Sequence, residues 1–279
     1  MAGFFGLGDF QKSGRGISKS SMGKSRFSLF FEIVWVRIWK LFAINFIYVL
    51  FCIPVITIGP ATAGLTKVLK NYSIDKNAYV WSDFFEAFKK NFFRSLLLGI
   101  FDVLAFAGVT AGCYMYPRFA AATGNNLYYV IFALTLSAAI MFSIMNFYMY
   151  MMMVSTDLSM KNVIKNSLAL TFLAPKQNLG TLFLSLAIIA LCILLVFVNL
   201  QFLLFYLFFP ASFIGFIVCY NCYPVVQKYV INPYYERRGE VNPELPDYEA
   251  DPDMTVFEDM GGREKPVEIK KRKKGKTIS

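Results

Sequence analysis

The sequence contains no histidine, and only 16% of its residues are charged. Without histidine the chain lacks the usual general base, the commonest metal ligand and any Ser-His or Cys-His nucleophile pair. It also lacks the Gly-x-x-x-x-Gly-Lys-[Ser/Thr] loop that cradles nucleotide phosphates. These absences predict a protein that is not an enzyme and that carries no metal or cofactor.

The five cysteines all lie within or beside apolar segments. Cys219 and Cys222 have the CxxC spacing of many metal sites, but neither a second pair nor a histidine is available to complete one. We therefore interpret the cysteines as small buried apolar side chains, with a metal or redox pair as the alternative.

The composition is strongly apolar, with 57% hydrophobic and 18% aromatic residues and a mean hydropathy of +0.50. Such values exclude a water-soluble domain. A helix needs about 20 apolar residues to cross a hydrocarbon core of about 30 Å. The later spans are predicted at residues 95–116 and 127–154, followed by two more between residues 177 and 227, with a turn near 199–201 and Pro210 inside the last helix.

The distribution of lysine and arginine predicts the orientation, because short loops rich in these residues stay cytoplasmic. Such residues are frequent before residue 41, between 67 and 94, in the loop 155–180 and at the C-terminal end, whereas the loop 117–126 holds only Arg118. Both termini are therefore predicted to be cytoplasmic. The same rule explains most of the net charge of +10, so we expect no binding of nucleic acid.

Residues 41–66 carry no charge, but their number fits no simple arrangement of spans. They are too few for two membrane crossings and too many for a single crossing. Pro54, Gly59 and Pro60 interrupt helical structure within them. We predict a hairpin, in which a helix over residues 34–53 is followed by an irregular connection, covered by other helices, and a shorter returning helix over 60–71. The alternative is one ordinary span followed by an exported basic loop.

The predicted fold class is all-α, a polytopic helical membrane bundle with five full or near-full spans plus a short returning helix after the first. Residues 1–30 are predicted to form a flexible basic arm without the apolar core of a signal peptide, and residues 31–232 the membrane domain. Residues 240–259 contain eight acids and no lysine or arginine, and a basic end follows. Residues 233–279 are therefore predicted to be a disordered charged cytoplasmic tail, whose basic end lies on anionic lipid.

Asp102 is the one acid well inside a predicted span, and such residues are functional candidates by default. We favour a structural ion pair with Arg37, Lys40 or Lys67 over a role in transport or proton relay. An intramembrane aspartyl enzyme would need a second buried acid, and Asp157 falls at a helix end.

Asn45 and Asn146 are the other candidate polar residues within the spans. Hydrogen bonding between helices is the default interpretation, and lining a solute path is the alternative.

In two loop segments the apolar residues recur at the spacing expected of amphipathic helices. The first spans residues 81–100, with Ser82 or Asp83 as its N-cap, and the second follows the candidate cap Ser159 and breaks at Pro175. Either segment is expected to lie on the lipid surface or to dock a partner. The candidate docking residues of the first are Phe84, Phe85, Phe88, Lys89 and Asn91.

Residues 30–95 resemble the YesL-like family of bacterial membrane proteins. The resemblance rests on a "kLf-x-x-N" helix, a "P-x-x-T-x-G-x-x-x-x-A/G-L" break and an "FF-x-x-F-K-x-N-F" helix. The matching positions are Leu41, Phe42, Asn45, Pro54, Thr57, Gly59, Gly64, Leu65, Phe84, Phe85, Phe88, Lys89, Asn91 and Phe92.

The YesL-like family is a domain of unknown function whose members are commonly encoded beside carbohydrate ABC permeases. The resemblance therefore implies an inner-membrane accessory or scaffold protein, with permease subunits and the lipid bilayer as partners. The alternatives are a small-solute transporter, or a membrane anchor whose tail recruits a cytosolic protein.

Overall fold

The computed structural model describes residues 25–239, 242 and 244, and within these residues the chain forms helices and turns without a β-strand. The α-helices are α1 (Arg26–Cys52), α2 (Ile58–Ser73), α3 (Val80–Lys90), α4 (Phe92–Thr123), α5 (Leu127–Ser155), α6 (Met160–Leu173), α7 (Pro175–Val198), α8 (Pro210–Val226) and α9 (Asn232–Glu236). Short 3₁₀ helices cover Val55–Thr57 and Leu200–Leu207, and a π-helical turn covers Gln227–Ile231. The first 24 residues of the predicted arm and most of the predicted tail lie outside the described residues.

Several helices are long and apolar enough to cross a membrane. In the described part of the chain these are α1, α4, α5 and α7, and a fifth crossing results if Leu200–Leu207 and the helical segment 210–236, bent by 53°, count as one span. The prediction of an all-helical membrane protein is confirmed at this level. The orientation of the termini stays a prediction.

The first apolar region folds as a helix, a break and a returning helix, as predicted. Its boundaries differ from the prediction, because α1 begins at Arg26, inside the predicted arm. Ser25 explains this early start, since its hydroxyl accepts a hydrogen bond from the Ser28 amide at 3.2 Å. The returning helix begins at Ile58, two residues before Pro60, which therefore lies in its first turn.

The break itself corrects one expectation, because the turn is not covered by other helices. Ile53, Val55 and Ile56 are 65–72% exposed. The turn instead satisfies its own backbone, since Thr57 Oγ1 donates to the carbonyl oxygens of Phe51 at 2.5 Å and Pro54 at 2.8 Å. With those acceptors occupied, the turn can present its apolar side chains to lipid.

Helix α2 lies at the centre of the bundle and contacts α1, α3, α4, α5 and α8. Ala61 and Ala63 are fully buried, and a side chain at Gly64 would collide with the ring of Phe84. Small residues thus let the neighbouring helices approach α2 closely, as predicted. The core continues along the second half of α5, where Tyr148, Met149 and Met152 are completely buried.

Helices α4 and α5 form a long antiparallel pair joined by a short turn at Gly124. Helix α4 continues through Pro117 to Thr123, so most of the predicted loop 117–126 is helical. The pair extends well beyond the core, since only 6% of the most apolar 18-residue stretch of α5 is buried. We treat this projecting part as the region that crosses the membrane.

The prediction for the connection between α7 and α8 was partly wrong. The chain leaves α7 at Asn199, but Leu200–Leu207 forms a 3₁₀ helix instead of a tight turn. Pro210 is not inside the last helix but is the first residue of α8, where its missing N–H removes no helical hydrogen bond.

The predicted caps of the two amphipathic helices also need correction. Helix α3 begins at Val80, ahead of both Ser82 and Asp83, and its N-cap position is Tyr79. Ser159 does precede α6, but its side chain makes no capping hydrogen bond. The predicted break at Pro175 is confirmed, since α7 begins there.

The boundary predicted at residue 233 lies inside α9. Beyond this helix, the Asn242 side chain is 3% exposed and donates from Nδ2 to Asn232 Oδ1 at 2.9 Å. Part of the segment predicted to be a free tail therefore packs on the bundle.

Candidate functional site

Asp102 lies on α4 and faces α5, whose Tyr150 hydroxyl donates to Asp102 Oδ2 at 2.7 Å. One turn before Asp102, Gly99 touches Gly59 at the start of α2. The carboxylate therefore lies beside the point where the tip of the first hairpin packs against α4. Sequence analysis found Asp102 and missed Tyr150, because a tyrosine within an apolar helix gives no signal of its partner.

Asp102 Oδ1 and Asn146 Nδ2 form no hydrogen bond of regular geometry in the described part of the chain, although the two side chains lie close enough to interact with each other. Both atoms are buried, and Asn146 lies one helical turn before Tyr150 on α5. Burying a polar atom without a hydrogen bond is costly. The arrangement is therefore suited to take up a proton, a cation or a polar solute between α4 and α5.

The expected ion pair of Asp102 with Arg37, Lys40 or Lys67 is not formed. Arg37 instead donates to Asp75 Oδ1 at 2.6 Å and to the Lys76 carbonyl oxygen at 2.9 Å. The reason is the returning helix α2, which brings the turn after Ser73 back to α1 and leaves Asp102 on the far side of the hairpin tip.

Asp157, the other acid considered for an aspartyl enzyme, lies after the end of α5. Its carboxylate is 3.7 Å from the Lys90 ammonium group. Across the described residues, no group of three or more His, Cys, Asp or Glu side chains is placed to hold a metal ion.

Asn45 is completely buried and joins α1 to the chain around the start of α8. Its Nδ2 donates to the Tyr206 carbonyl oxygen at 3.0 Å, and its Oδ1 accepts from the Ser212 amide at 2.8 Å. The Asn45 side chain thus satisfies one of the free amides at the N-terminus of α8. This geometry corresponds to the interhelical hydrogen bonding that the sequence favoured.

The candidate docking residues of α3 lie mostly inside the bundle. Phe84 is completely buried, and the rings of Phe85 and Phe88 lie 5.3 and 5.4 Å from the ring of Phe51 on α1. Asn91 is buried, and only Lys89 is exposed. These candidate residues, apart from Lys89, are therefore covered by the chain itself and do not form a free docking surface.

A second polar cluster escaped the sequence analysis altogether. Lys70 on α2 forms an ion pair with Glu244, whose other carboxylate oxygen accepts a hydrogen bond from the Tyr223 hydroxyl of α8. Glu244 belongs to an acidic stretch whose composition predicts a solvated tail. No local pattern could have linked it to a lysine 174 positions away.

Residues 41–111 match the model of the family described as "Protein of unknown function, DUF624". The match covers the second half of α1, the hairpin tip, α2, α3 and the first part of α4. Neither a curated protein nor a solved structure matches the chain significantly. The matched segment includes every position on which the YesL-like resemblance rests, and the match is consistent with that resemblance. Residues 41–111 of this membrane protein thus match a family whose function is unknown.

Proposed function

We propose that the protein is an accessory or scaffold component of the bacterial inner membrane that packs beside a carbohydrate ABC permease and has no enzymatic activity of its own. The YesL-like resemblance supports this choice of partner. The proposal includes cytoplasmic termini, as the distribution of lysine and arginine predicts.

The observation that carries the proposal is the uncovered outer surface of α4. Ala107, Gly108 and Ala111 form an exposed patch on this helix, and a Cβ atom at Gly108 would meet nothing within 4 Å. Small residues at membrane depth allow the backbone of another helix to approach closely. We call these three residues the α4 patch and propose that a permease helix packs there.

Affinity purification from native membranes, followed by mass spectrometry, tests this role. Permease subunits are expected with the wild-type protein and should be lost with the double variant Gly108→Leu/Ala111→Leu. Gly180→Leu on α7 is the matched control, because that glycine is equally open and lies outside the patch. Recovery of no permease or solute-binding component with the wild-type protein contradicts the proposal.

A second candidate function, transport of a small solute or proton, is favoured by the buried pair of Asp102 and Asn146, whose facing polar atoms form no hydrogen bond of regular geometry. The test measures the flux of sugars or ions into vesicles reconstituted with the purified protein. Asp102→Asn should abolish flux, whereas Asp157→Asn, which removes a similar charge outside the spans, should preserve it. Unchanged flux in Asp102→Asn removes the support for this function.

A further inference from the structure

A polar cavity of about 220 Å³ lies between α2, the end of α3, the end of α5 and the two described residues beyond α9, Asn242 and Glu244. It is at the end of the bundle where the lysines of α2 and α3 collect, away from the projecting part of α4 and α5. Its polar lining includes Lys67, Lys70, Lys90, Asn91, Ser155 and Glu244.

Lys70 is the most deeply buried cation of this cavity, with 2% of its surface exposed. Its Nζ lies 2.6 Å from Glu244 Oε1 and 5.1 Å from the centre of the Tyr223 ring. Because a buried ammonium group is costly unless it is paired, Lys70 requires an anion at this point.

Glu244 supplies that anion from the end of the described chain. Besides Lys70 it accepts the Tyr223 hydroxyl, and its backbone amide donates to Asn242 Oδ1 at 2.9 Å. Burial by itself would raise the pKa of the Glu244 carboxyl. The Lys70 ammonium group and the hydrogen bonds from Lys70 and Tyr223 outweigh it and hold that pKa below its usual value of 4.5. The carboxylate is thus bound as a ligand would be.

The side chains that line the cavity carry more positive than negative charge, so a further anion can be accommodated. Three lysines face it, whereas Glu244 and Asp157 are its acidic lining residues, and Asp157 approaches Lys90 only to 3.7 Å. Ser155 Oγ is buried there beside the Tyr223 hydroxyl and makes no other polar contact in the described chain. If the Glu244 side chain leaves, three ammonium groups remain around one carboxylate.

We propose that this cavity binds a phosphate-class anion, either free phosphate or the phosphate of a lipid headgroup, and that Glu244 is an internal competitor for the same position. Lysine ammonium groups bind phosphate as point charges, and the hydroxyl and amide groups of the lining supply further hydrogen bonds. Displacement of Glu244 by the anion would release its side chain from Lys70 and Tyr223. This site is separate from the α4 patch and from Asp102, so its test is independent of both proposed functions.

Binding is measured with the full-length protein in phosphatidylcholine nanodiscs, by calorimetric titration with inorganic phosphate. The unfolding temperature is measured in parallel in nanodiscs with and without phosphatidic acid. Glu244→Gln removes the competitor and should tighten binding about tenfold, because the site becomes fully available. Glu236→Gln is the matched control, since Glu236 is exposed on α9 and lies outside the cavity.

Two lysine variants test the cations. Lys70→Gln should abolish binding, but it also leaves Glu244 unpaired in the core. Lys90→Gln avoids that risk, since the Lys90 side chain is 62% exposed, and it should weaken binding several-fold. Lys89→Gln, its exposed neighbour outside the cavity, should bind as the wild type does.

The two arms distinguish the sources of the anion. If calorimetry shows that the protein binds inorganic phosphate, and that Glu244→Gln binds it more tightly, the site takes free phosphate. If the unfolding temperature rises only in nanodiscs that contain phosphatidic acid, and rises more for Glu244→Gln than for the wild type, the site takes a lipid headgroup. The proposal is overturned if neither probe separates Glu244→Gln from Glu236→Gln, or if Lys90→Gln and Lys89→Gln bind equally.

Discussion

At Gly59 the backbone of α2 touches the backbone of α4. A Cβ atom at this position would lie 1.9 Å from the Ser95 carbonyl oxygen and 3.1 Å from Gly99 Cα. Both obstructing atoms belong to the main chain of a helix, so neither can rotate away as a flexible side chain would. The contact positions Asp102, one turn further along α4, beside the hairpin tip.

We expect Gly59→Ala to lower the unfolding temperature of the purified protein in detergent, at a cost of about 1–3 kcal/mol from overpacking. Gly108→Ala is the matched control on α4, where the added methyl group meets nothing within 4 Å. There the substitution should leave stability unchanged or raise it slightly, because alanine favours a helix over glycine. Equal effects of the two substitutions would contradict the close contact.

The ion pair between Lys70 and Glu244 makes a second residue-scale contribution, one that depends on pH. The pKa of Glu244 is lowered in the folded protein, so folding favours the ionised carboxylate. The resulting stability is fully present above the pKa of the unfolded chain and is lost as the pH falls through the lower pKa of the folded state.

We therefore expect the difference in unfolding temperature between the wild type and Glu244→Gln, measured in phosphate-free buffer, to be constant above pH 4.5 and to shrink at lower pH. Glu236→Gln should show no such dependence, because Glu236 is exposed. A difference that persists or grows on acidification would mean that the ion pair does not stabilise the fold.

At the scale of helices, the first hairpin is the element that sets the plan of the molecule. Helix α2 returns alongside α1, so that the turn after Ser73 meets Arg37. The start of α4 then meets the hairpin tip at Gly59. If the lysine distribution sets the orientation, the turn between α2 and α3 lies on the cytoplasmic side.

Labelling of single cysteines tests this arrangement in a background that lacks the five native cysteines. Cysteines at Ser73 and Asn77 should be blocked from an impermeant reagent added outside intact cells. A cysteine at Asn125, in the exposed turn between α4 and α5, should be labelled as the control. Labelling at Asn77 from outside would instead support one ordinary span with an exported loop.

At the scale of the whole molecule, the described chain has two unequal regions. One is a well-packed core around α2, α8 and the second half of α5, and the other is the sparsely packed pair formed by the rest of α4 and α5. Asn242 and Glu244 belong to the core side, because Glu244 pairs with Lys70 and Asn242 donates to Asn232.

Truncation of the tail at two positions tests that assignment. Deletion of residues 240–279 removes both Asn242 and Glu244 and should destabilise the protein by several kcal/mol, because it leaves a buried lysine unpaired. Deletion of residues 245–279 keeps both side chains and should leave the unfolding temperature close to that of the full chain. Equal stability of the two truncated proteins would exclude a structural role for Glu244.

The sequence predicted the features that follow from local pattern. The ends of α5, the helix break after Cys52 and the break at Pro175 were recognised because length, proline and uncharged runs specify them locally. The start of α8 at Pro210 was missed, since an apolar run of this length fits either a continuous helix or a break. The partners of Asp102 and Asn45 were also missed, because each lies on a helix far away in the sequence.

By itself, the sequence determined that this chain is an all-helical membrane protein with a broken first hairpin, because apolar length and proline positions act locally. The tertiary structure alone decided which polar groups meet: Tyr150 with Asp102, Asp75 with Arg37, and Glu244 with Lys70. The physical reason is that a buried polar group must find a partner in three dimensions, and only the packing of the helices determines which one lies within reach.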